Sequence, residues 1–268
     1  MAAHQLPFGV LLRRWRERRR MTQADLAYSA ESSTRHLSCL ETGKAQPSRE
    51  MIARLAEYLE MPLRDRNTLL LAAGFAPAFQ ERSLAALEAA KTAIDAILQA
   101  HKPYPAFAVD RRWNVVMSNS ALPQLYEGCS ADLMRPPVNA VRLMLHPAGM
   151  GPRIVNYAAW RAHMLGVLRH EIDARGDALL QSLLAEVAAY PAPPENEPVE
   201  GFGAAERLAT PFRVATRFGV LSFLGTVTVF GTPNDVTLSE LALEMLFPAD
   251  EATARIAQAM VEELEQAA

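Results

Sequence analysis

The side chains of this 268-residue chain with types and spacing suited to chemistry fall into two sets. One is a basic run, Arg13-Arg14-Trp15-Arg16-Glu17-Arg18-Arg19-Arg20, followed by a short polar stretch, Ser33-Thr34-Arg35-His36-Leu37-Ser38-Cys39. The other is a scatter of histidines, His101, His146, His163 and His170. His163 and His170 are seven apart and align on one helix face, but no carboxylate–histidine metal pattern accompanies them. No Gly-rich phosphate loop, nucleophile elbow or CxxC is present, so no enzyme, no metal and no cofactor are expected. Cys39 and Cys129 share no metal-like spacing, which argues against a disulfide framework and for a reducing cytoplasm. What remains is the chemistry of guanidinium and hydroxyl groups toward phosphates and base edges.

Residues 8–58 supply the elements that would position those groups. Three short helical patterns separated by tight breaks, followed by a fourth, have the layout of a helix-turn-helix, which places one helix in the major groove of DNA. Helix 1 is predicted from Phe8 to Arg19, with Val10, Leu11 and Trp15 facing the core. Thr22 caps helix 2, with Asp25 three residues on as a variant of the capping box, and Leu26 and Ala27 facing inward. Ser33 caps helix 3, with Leu37 and Leu40 in the core, and Gly43 fits the left-handed position that ends it. Pro47-Ser48 opens helix 4, with Met51, Ile52, Leu55 and Leu59 at helical spacing. Pro62 starts helix 5, closed by Gly74. A basic run is usually a solvated helix face; beside this motif it reads as part of a nucleic-acid surface.

Charge divides the chain in the same way. Residues 1–82 hold 13 Lys and Arg against 9 Asp and Glu, and residues 83–268 hold 14 against 21, within a net charge of −3. A basic front and an acidic back suit a nucleic-acid module joined to a domain that does not touch nucleic acid. No run of about 18 apolar residues exists, and the charges of the N-terminus follow its short apolar stretch, the reverse of a signal peptide. The expectation is a soluble cytoplasmic protein with no membrane partner.

The predicted domains are 1–79 (helix-turn-helix), 80–101 (an amphipathic linking helix with Leu84, Leu87, Ile94, Ile97 and Leu98) and 102–268. In the last, strands are expected at 105–110 and 113–119, a helical turn at 119–126, and helices from 131 to 190. A Pro/Glu-rich loop over 191–201 precedes strand patterns in FRVATRF, LSFLGTVTVFGT and VTLSELALEMLF, with a closing helix after Phe247. Strands at both ends with helices between them indicate an all-α helix-turn-helix domain followed by an α+β domain with one sheet.

Residues 9–58 resemble the Xre/Cro-type helix-turn-helix family through Thr22-Gln23, Leu26-Ala27, Leu37, Leu40-Glu41, Gly43 and Pro47-Ser48. Two departures stand out: that family usually has Gly before helix 2, where this chain has Arg20-Met21, and Gly-Val in the turn, where it has Glu31-Ser32. The resemblance implies that Gln23 bonds a DNA phosphate and that Arg16 and Glu41 form an ion pair tying helix 1 to helix 3. It makes Ser33, Thr34, Arg35, His36, Ser38 and Cys39 the recognition-helix candidates, with Lys44 and Arg13 as phosphate contacts. Arg35 is the first choice for base reading, because a guanidinium can bridge guanine O6 and N7.

Residues 102–247 resemble the ligand-binding domain of MmyB-like transcription regulators, a PAS-like sensor, so the second domain is expected to be an α+β PAS-like fold. The resemblance rests on Pro105-Ala106-Phe107, Asp110-Arg111-Arg112-Trp113-Asn114-Val115, Asn119, Asn156-Tyr157, Trp160, Leu221-Ser222-Phe223, Phe230-Gly231-Thr232-Pro233 and Phe247-Pro248-Ala249-Asp250. It implies an apolar pocket with a fatty-acid-like or other lipophilic small molecule as ligand. Candidate contacts are Phe107, Val109, Trp113, Met117, Asn119, Met144, Trp160, His163, Met164 and Phe223, which could equally be ordinary core. Arg111, Arg112, Asn119 and His163 could orient a carboxylate head. The reading is a ligand-responsive regulator acting as a homodimer on a double-stranded DNA operator. The alternative is a second domain that serves only dimerisation or protein interaction.

Overall fold

The computed structural model describes residues 6–194, 209–231 and 233–267. It divides into two compact units: residues up to Ser83 together with the segment ending at Ser239, and the remainder from Leu84. The first division falls at Ser83/Leu84, four residues beyond the position suggested by the sequence pattern.

The first unit holds α1 (Phe8–Arg18), α2 (Gln23–Ser29), α3 (Thr34–Glu41), α4 (Arg49–Tyr58) and α5 (Leu63–Ala72). Phe8, Leu12 and Trp15 form the inward stripe of α1. Val10, expected inward, is 38% exposed. It stands two residues from Phe8, some 200° round the helix, so the stripe excludes it and takes Leu12 instead. Leu26, Leu37, Leu40, Ile52, Leu55 and Leu59 complete the core. Thr22 and Asp25 make the reciprocal capping box of α2, and the Ser33 and Ser48 hydroxyls accept from His36 N and Met51 N.

All five helices end alike. The residue after the C-cap is left-handed at Arg20, Glu31, Gly43, Glu60 and Gly74, with φ of 54°, 51°, 74°, 47° and 84°. The following amide then donates five residues back, as from Met21 N to Arg16 O at 3.1 Å and Ser32 N to Ala27 O at 2.8 Å. The turns that lack the usual glycine therefore keep the glycine conformation. Beyond α5, Asn67 accepts from Ala78 N and Phe79 N and donates to Phe79 O, which fixes the loop leading to Gln80.

Residues 80–101 are not one helix. Gln80 pairs in parallel with Asp235, Leu84–Ala86 form a 3-10 turn, and α6 runs only from Glu88 to Ala100. The backbone of 80–82 is instead committed to the 233–239 segment, where Val236 N donates to Gln80 O at 2.8 Å and Thr237 Oγ1 donates to Arg82 O.

The second unit is an antiparallel sheet in the order β2-β1-β5-β4-β3. Its strands are β1 (Ala106–Val109), β2 (Val115–Ser118), β3 (Phe212–Thr216), β4 (Gly219–Val229) and β5 (Ala242–Pro248). Between β2 and β3 come α7 (Ala140–Leu145), α8 (Tyr157–Arg175) and α9 (Ala178–Ala188). The turn expected at 119–126 is a 3-10 helix at Pro123–Tyr126. The expected strand VTLSELALEMLF divides: Val236–Ser239 form a helical turn, α10, capped by Asp235, and only Ala242 onward is strand. α11 (Glu251–Ala267) closes the chain and packs on β4 and β5, while α6 packs on β1 and β2. Of the loop expected over 191–201, residues 195–201 lie outside the described residues. No described helix is long and apolar enough to cross a membrane.

Candidate nucleic-acid interface and ligand cavity

On the first unit, α3 presents Ser33, Thr34 and Arg35 exposed, with His36, Ser38 and Cys39 half-buried, and Lys44 exposed just beyond it. The element is held by one buried ion pair. Arg16 Nε donates to Glu41 Oε1 at 2.6 Å and Nη2 to Oε2 at 3.0 Å, with the side chains 10% and 3% exposed. Arg16 Nη1 also donates to Met21 O, and Gln23 Nε2 donates to Glu41 Oε2 at 2.8 Å. The side-chain amide of Gln23, expected on a phosphate, is thus committed inside the protein. The α2 N-terminus also carries the Asp25 carboxyl, held below its ordinary range by hydrogen bonds from Thr22. What is left at Gln23 for a phosphate is the second Nε2 hydrogen and the backbone N–H groups at the start of α2, since the side-chain carbonyl can only accept.

The basic run is largely structural rather than a uniform solvated face. Arg13 pairs with Glu17 at 2.7 Å, Arg16 is buried, and Arg18 lies 4.8 Å from the Trp15 ring centroid. Arg19 donates to Leu59 O and Glu60 O at the end of α4. Arg14 is exposed. Two residues the sequence reading passed over belong here. Gly9 lets α1 meet the end of α3, since a Cβ there would fall 2.3 Å from Glu41 O. Its signal was a glycine in the first turn of a helix, costly unless something approaches closely. Tyr28, on α2, is 88% exposed, and no pattern in the sequence marks it.

On the second unit, one face of the sheet and the helices above it enclose a cavity of about 230 Å³. Phe107 on β1, Glu244 on β5 and Val227 on β4 are directly paired across the sheet, and Leu246 and Gly225 line the cavity in the next pair on that face. The opposite wall is α8, through Trp160, His163, Met164 and Val167, with Met144 from α7. Val227 remains 60% exposed, so the cavity opens along the second half of β4.

The Asp110–Val115 stretch explains how Trp113 comes to line it. Trp113 has φ of +66°, a costly conformation for a bulky residue, and its surroundings fix it there. Asp110 accepts from Arg112 N and Asn114 N, Asn139 Nδ2 donates to Arg112 O, and Ala140 N donates to Trp113 O. The indole Nε1 donates to Glu171 Oε2 at 3.2 Å.

Of the ten candidate contacts, Phe107, Trp113, Met144, Trp160, His163 and Met164 line this cavity. Four do not. Met117 pairs with Ala108, so it stands on the sheet face opposite Phe107. Val109 is core beyond the cavity, and Phe223 is fully buried core. Asn119 is committed to backbone, donating to Leu98 O and Tyr104 O and accepting from Ala106 N. Arg111 and Arg112 do not reach the cavity either: Arg111 bridges Asp177 at 2.7 Å and Glu240 at 3.2 Å, and Arg112 lies 3.9 Å from Asp177.

The ionisable lining groups are Glu244, His163 and Tyr126. Burial pushes the Glu244 carboxyl up to about 7, with the Glu171 carboxylate adding to it, and burial lowers His163 and raises Tyr126. Glu244, the one acidic lining residue, was not anticipated: its alternation with Leu246 placed it on the cavity face, but a carboxyl in that position reads as a solvent-side residue. No group of three or more His, Cys, Asp or Glu among the described residues could hold a metal.

An exposed recognition helix in one unit and a side-chain-lined apolar cavity in the other define a DNA-binding protein with a sensor-type domain. Comparison with known proteins agrees. Residues 90–260 match the model of the MmyB-like transcription regulator ligand binding domain, and residues 7–69 match a helix-turn-helix domain. The chain belongs to the MmyB-like transcription regulator family and is a DNA-binding transcription regulator. Among solved structures, the clp gene regulator ClgR from Corynebacterium glutamicum is similar, with 27% identity over 36% of this chain and 90% of that one and a TM-score of 0.22. No curated protein matches the chain.

Proposed function

We propose that the protein is a sequence-specific regulator whose DNA affinity responds to a small lipophilic molecule held in the second unit. The observation that carries the reading is the cavity itself, walled by Trp113, Trp160, Met144 and Met164 beside an otherwise dense core. An apolar hollow of this size is unusual in a packed interior and suits a ligand better than a purely structural role. Dimerisation alone would not need it. The ligand acts by binding one arrangement of the protein better than another, which is the only way binding can shift an equilibrium. A homodimer spanning two half-sites one helical turn apart fits a helix-turn-helix of this kind.

Within the DNA-binding unit, Arg35 is the base reader and Lys44 and Arg14 contact phosphates. Arg35 is exposed on α3, whose opposite face is fixed by Leu37 and Leu40. The test is selection of operator DNA from a random pool, followed by binding measurements at one fixed salt concentration. Arg35→Ala is expected to weaken binding to the selected operator by about 1–3 kcal/mol while leaving binding to random DNA nearly unchanged. Equal loss on both would show that Arg35 is a phosphate contact.

A further inference from the structure

The ligand's head group is legible in the cavity's polarity, taking the cavity to be the ligand site as proposed above. The lining is apolar apart from a few groups, and none of those is a fixed cation. The arginines that could have met a carboxylate, Arg111 and Arg112, are turned to Asp177 and Glu240. Glu244 stands instead in the middle strand of the sheet, between Phe107 and Val227. No described residue hydrogen-bonds or ion-pairs with its half-buried carboxyl, which leaves it open to a ligand's donor. Glu171 lies outside the lining: it is held by the Trp113 indole, acts on Glu244 through space, and is itself offset by Arg175.

We propose that the cavity selects a short apolar chain bearing a hydrogen-bond-donating cationic head, a primary amine or similar ammonium, which pairs with Glu244, and that it discriminates against carboxylate heads. An ammonium brings three donors to a carboxyl that has no partner among the described residues. A carboxylate in the same place meets the Glu244 carboxyl, with no arginine or lysine among the described lining residues. His163 does not change this, because burial holds it toward its neutral form. Tyr126 is kept in its phenol form by burial and adds no charge. Size sets the chain length. A hollow of about 150 Å³ holds benzene, so the 230 Å³ here accommodates roughly nine heavy atoms in proportion.

The matched probes are therefore n-octylamine, octan-1-ol and octanoate, titrated calorimetrically into the full-length protein at pH 7. The expected order is octylamine over octanol over octanoate, with at least tenfold between amine and carboxylate. Glu244→Gln keeps the shape and removes the charge; it should cost the amine tenfold or more while changing octanol by less than threefold. Gly225→Leu places a side chain in the cavity, where a Cβ meets only Leu246 Cδ2 at 3.8 Å, and should abolish binding of all three. Octanoate binding as tightly as octylamine, or an unchanged amine affinity in Glu244→Gln, overturns the head-group assignment. If Gly225→Leu still blocks the probes in that case, the cavity reading stands without it. Octylamine binding to Gly225→Leu as to the parent overturns the assignment by placing the amine elsewhere. Binding of none of the three overturns both readings together.

Discussion

Gly9 and Glu31 lie at opposite extremes of backbone cost within the same small domain. A Cβ on Gly9 would fall 2.3 Å from Glu41 O and 2.6 Å from Leu40 O, backbone atoms that cannot swing aside. Gly9→Ala must therefore lift α1 from the end of α3 and strain the Arg16–Glu41 pair, for an expected loss of about 2–3 kcal/mol in urea denaturation. Glu31 carries a side chain at φ of 51°, where glycine is at ease, and its charged partner among the described residues is Arg54 at 3.5 Å on the surface. Glu31→Gly should gain about 0.5–1 kcal/mol, because left-handed strain outweighs both a weak surface pair and the added chain entropy. A loss of stability there would mean that the ion pair decides the turn. At this scale the sequence was readable where side chains cap and pack: Thr22, Ser33, Leu37 and Leu40 stand as their patterns imply. It was opaque at Gln23, whose amide is drawn to a buried Glu41 that only the tertiary fold brings near.

The helices and strands show a different limit. Helical stripes and caps marked α1 to α5 closely, because those signals are local. Residues 80–87 carry a helical stripe yet form no α-helix, only the short 3-10 turn at Leu84–Ala86, because Gln80 pairs in parallel with Asp235, more than half the chain away. The same long-range demand turns Val236–Ser239 into a helical turn inside an alternating pattern. In β5 the alternation was right, and it places Glu244, which the pattern did not single out, on the cavity face. That placement has a measurable consequence. The Glu244 carboxyl, ordinarily near 4.5, is raised to about 7 in the folded protein. Between those values the folded chain holds a proton that the unfolded chain has released, so stability falls as pH rises through that window. Below about 4.5 both states are protonated and the group is neutral in its effect. Glu244→Gln removes the penalty: against the parent it should be nearly neutral at about pH 3.5 and more stable by on the order of 2–3 kcal/mol at pH 8. A mutant whose advantage does not grow with pH would mean that the carboxyl is ionised at little cost.

At the scale of the whole chain, the connectivity suggests how the two functions are joined. The chain enters the second unit after Ser83, and β4 and β5 then leave and re-enter it around a segment that belongs to the DNA-binding unit. Those two strands carry Gly225, Val227, Glu244 and Leu246 of the cavity. The segment is fastened by one buried carboxylate: Asp235 accepts from Arg82 Nε at 2.9 Å and from Thr237 N at 2.9 Å, beside the fully buried Val236. A ligand that shifts the two strands would thus act through covalent continuity on a segment packed in the helix-turn-helix unit, a two-ended element of the kind that coupling requires. Asp235→Ala removes both bonds at once. The amides of Val236 and Thr237 should then exchange faster, and the DNA-binding unit should lose about 1–2 kcal/mol of stability. Operator affinity without ligand should stay within about threefold, since no base-reading residue is touched, while the change in affinity caused by a cavity ligand shrinks toward nothing. Full retention of that ligand response, alongside the faster exchange, would exclude the segment as the route and leave the Ser83–Leu84 link as the remaining chain crossing.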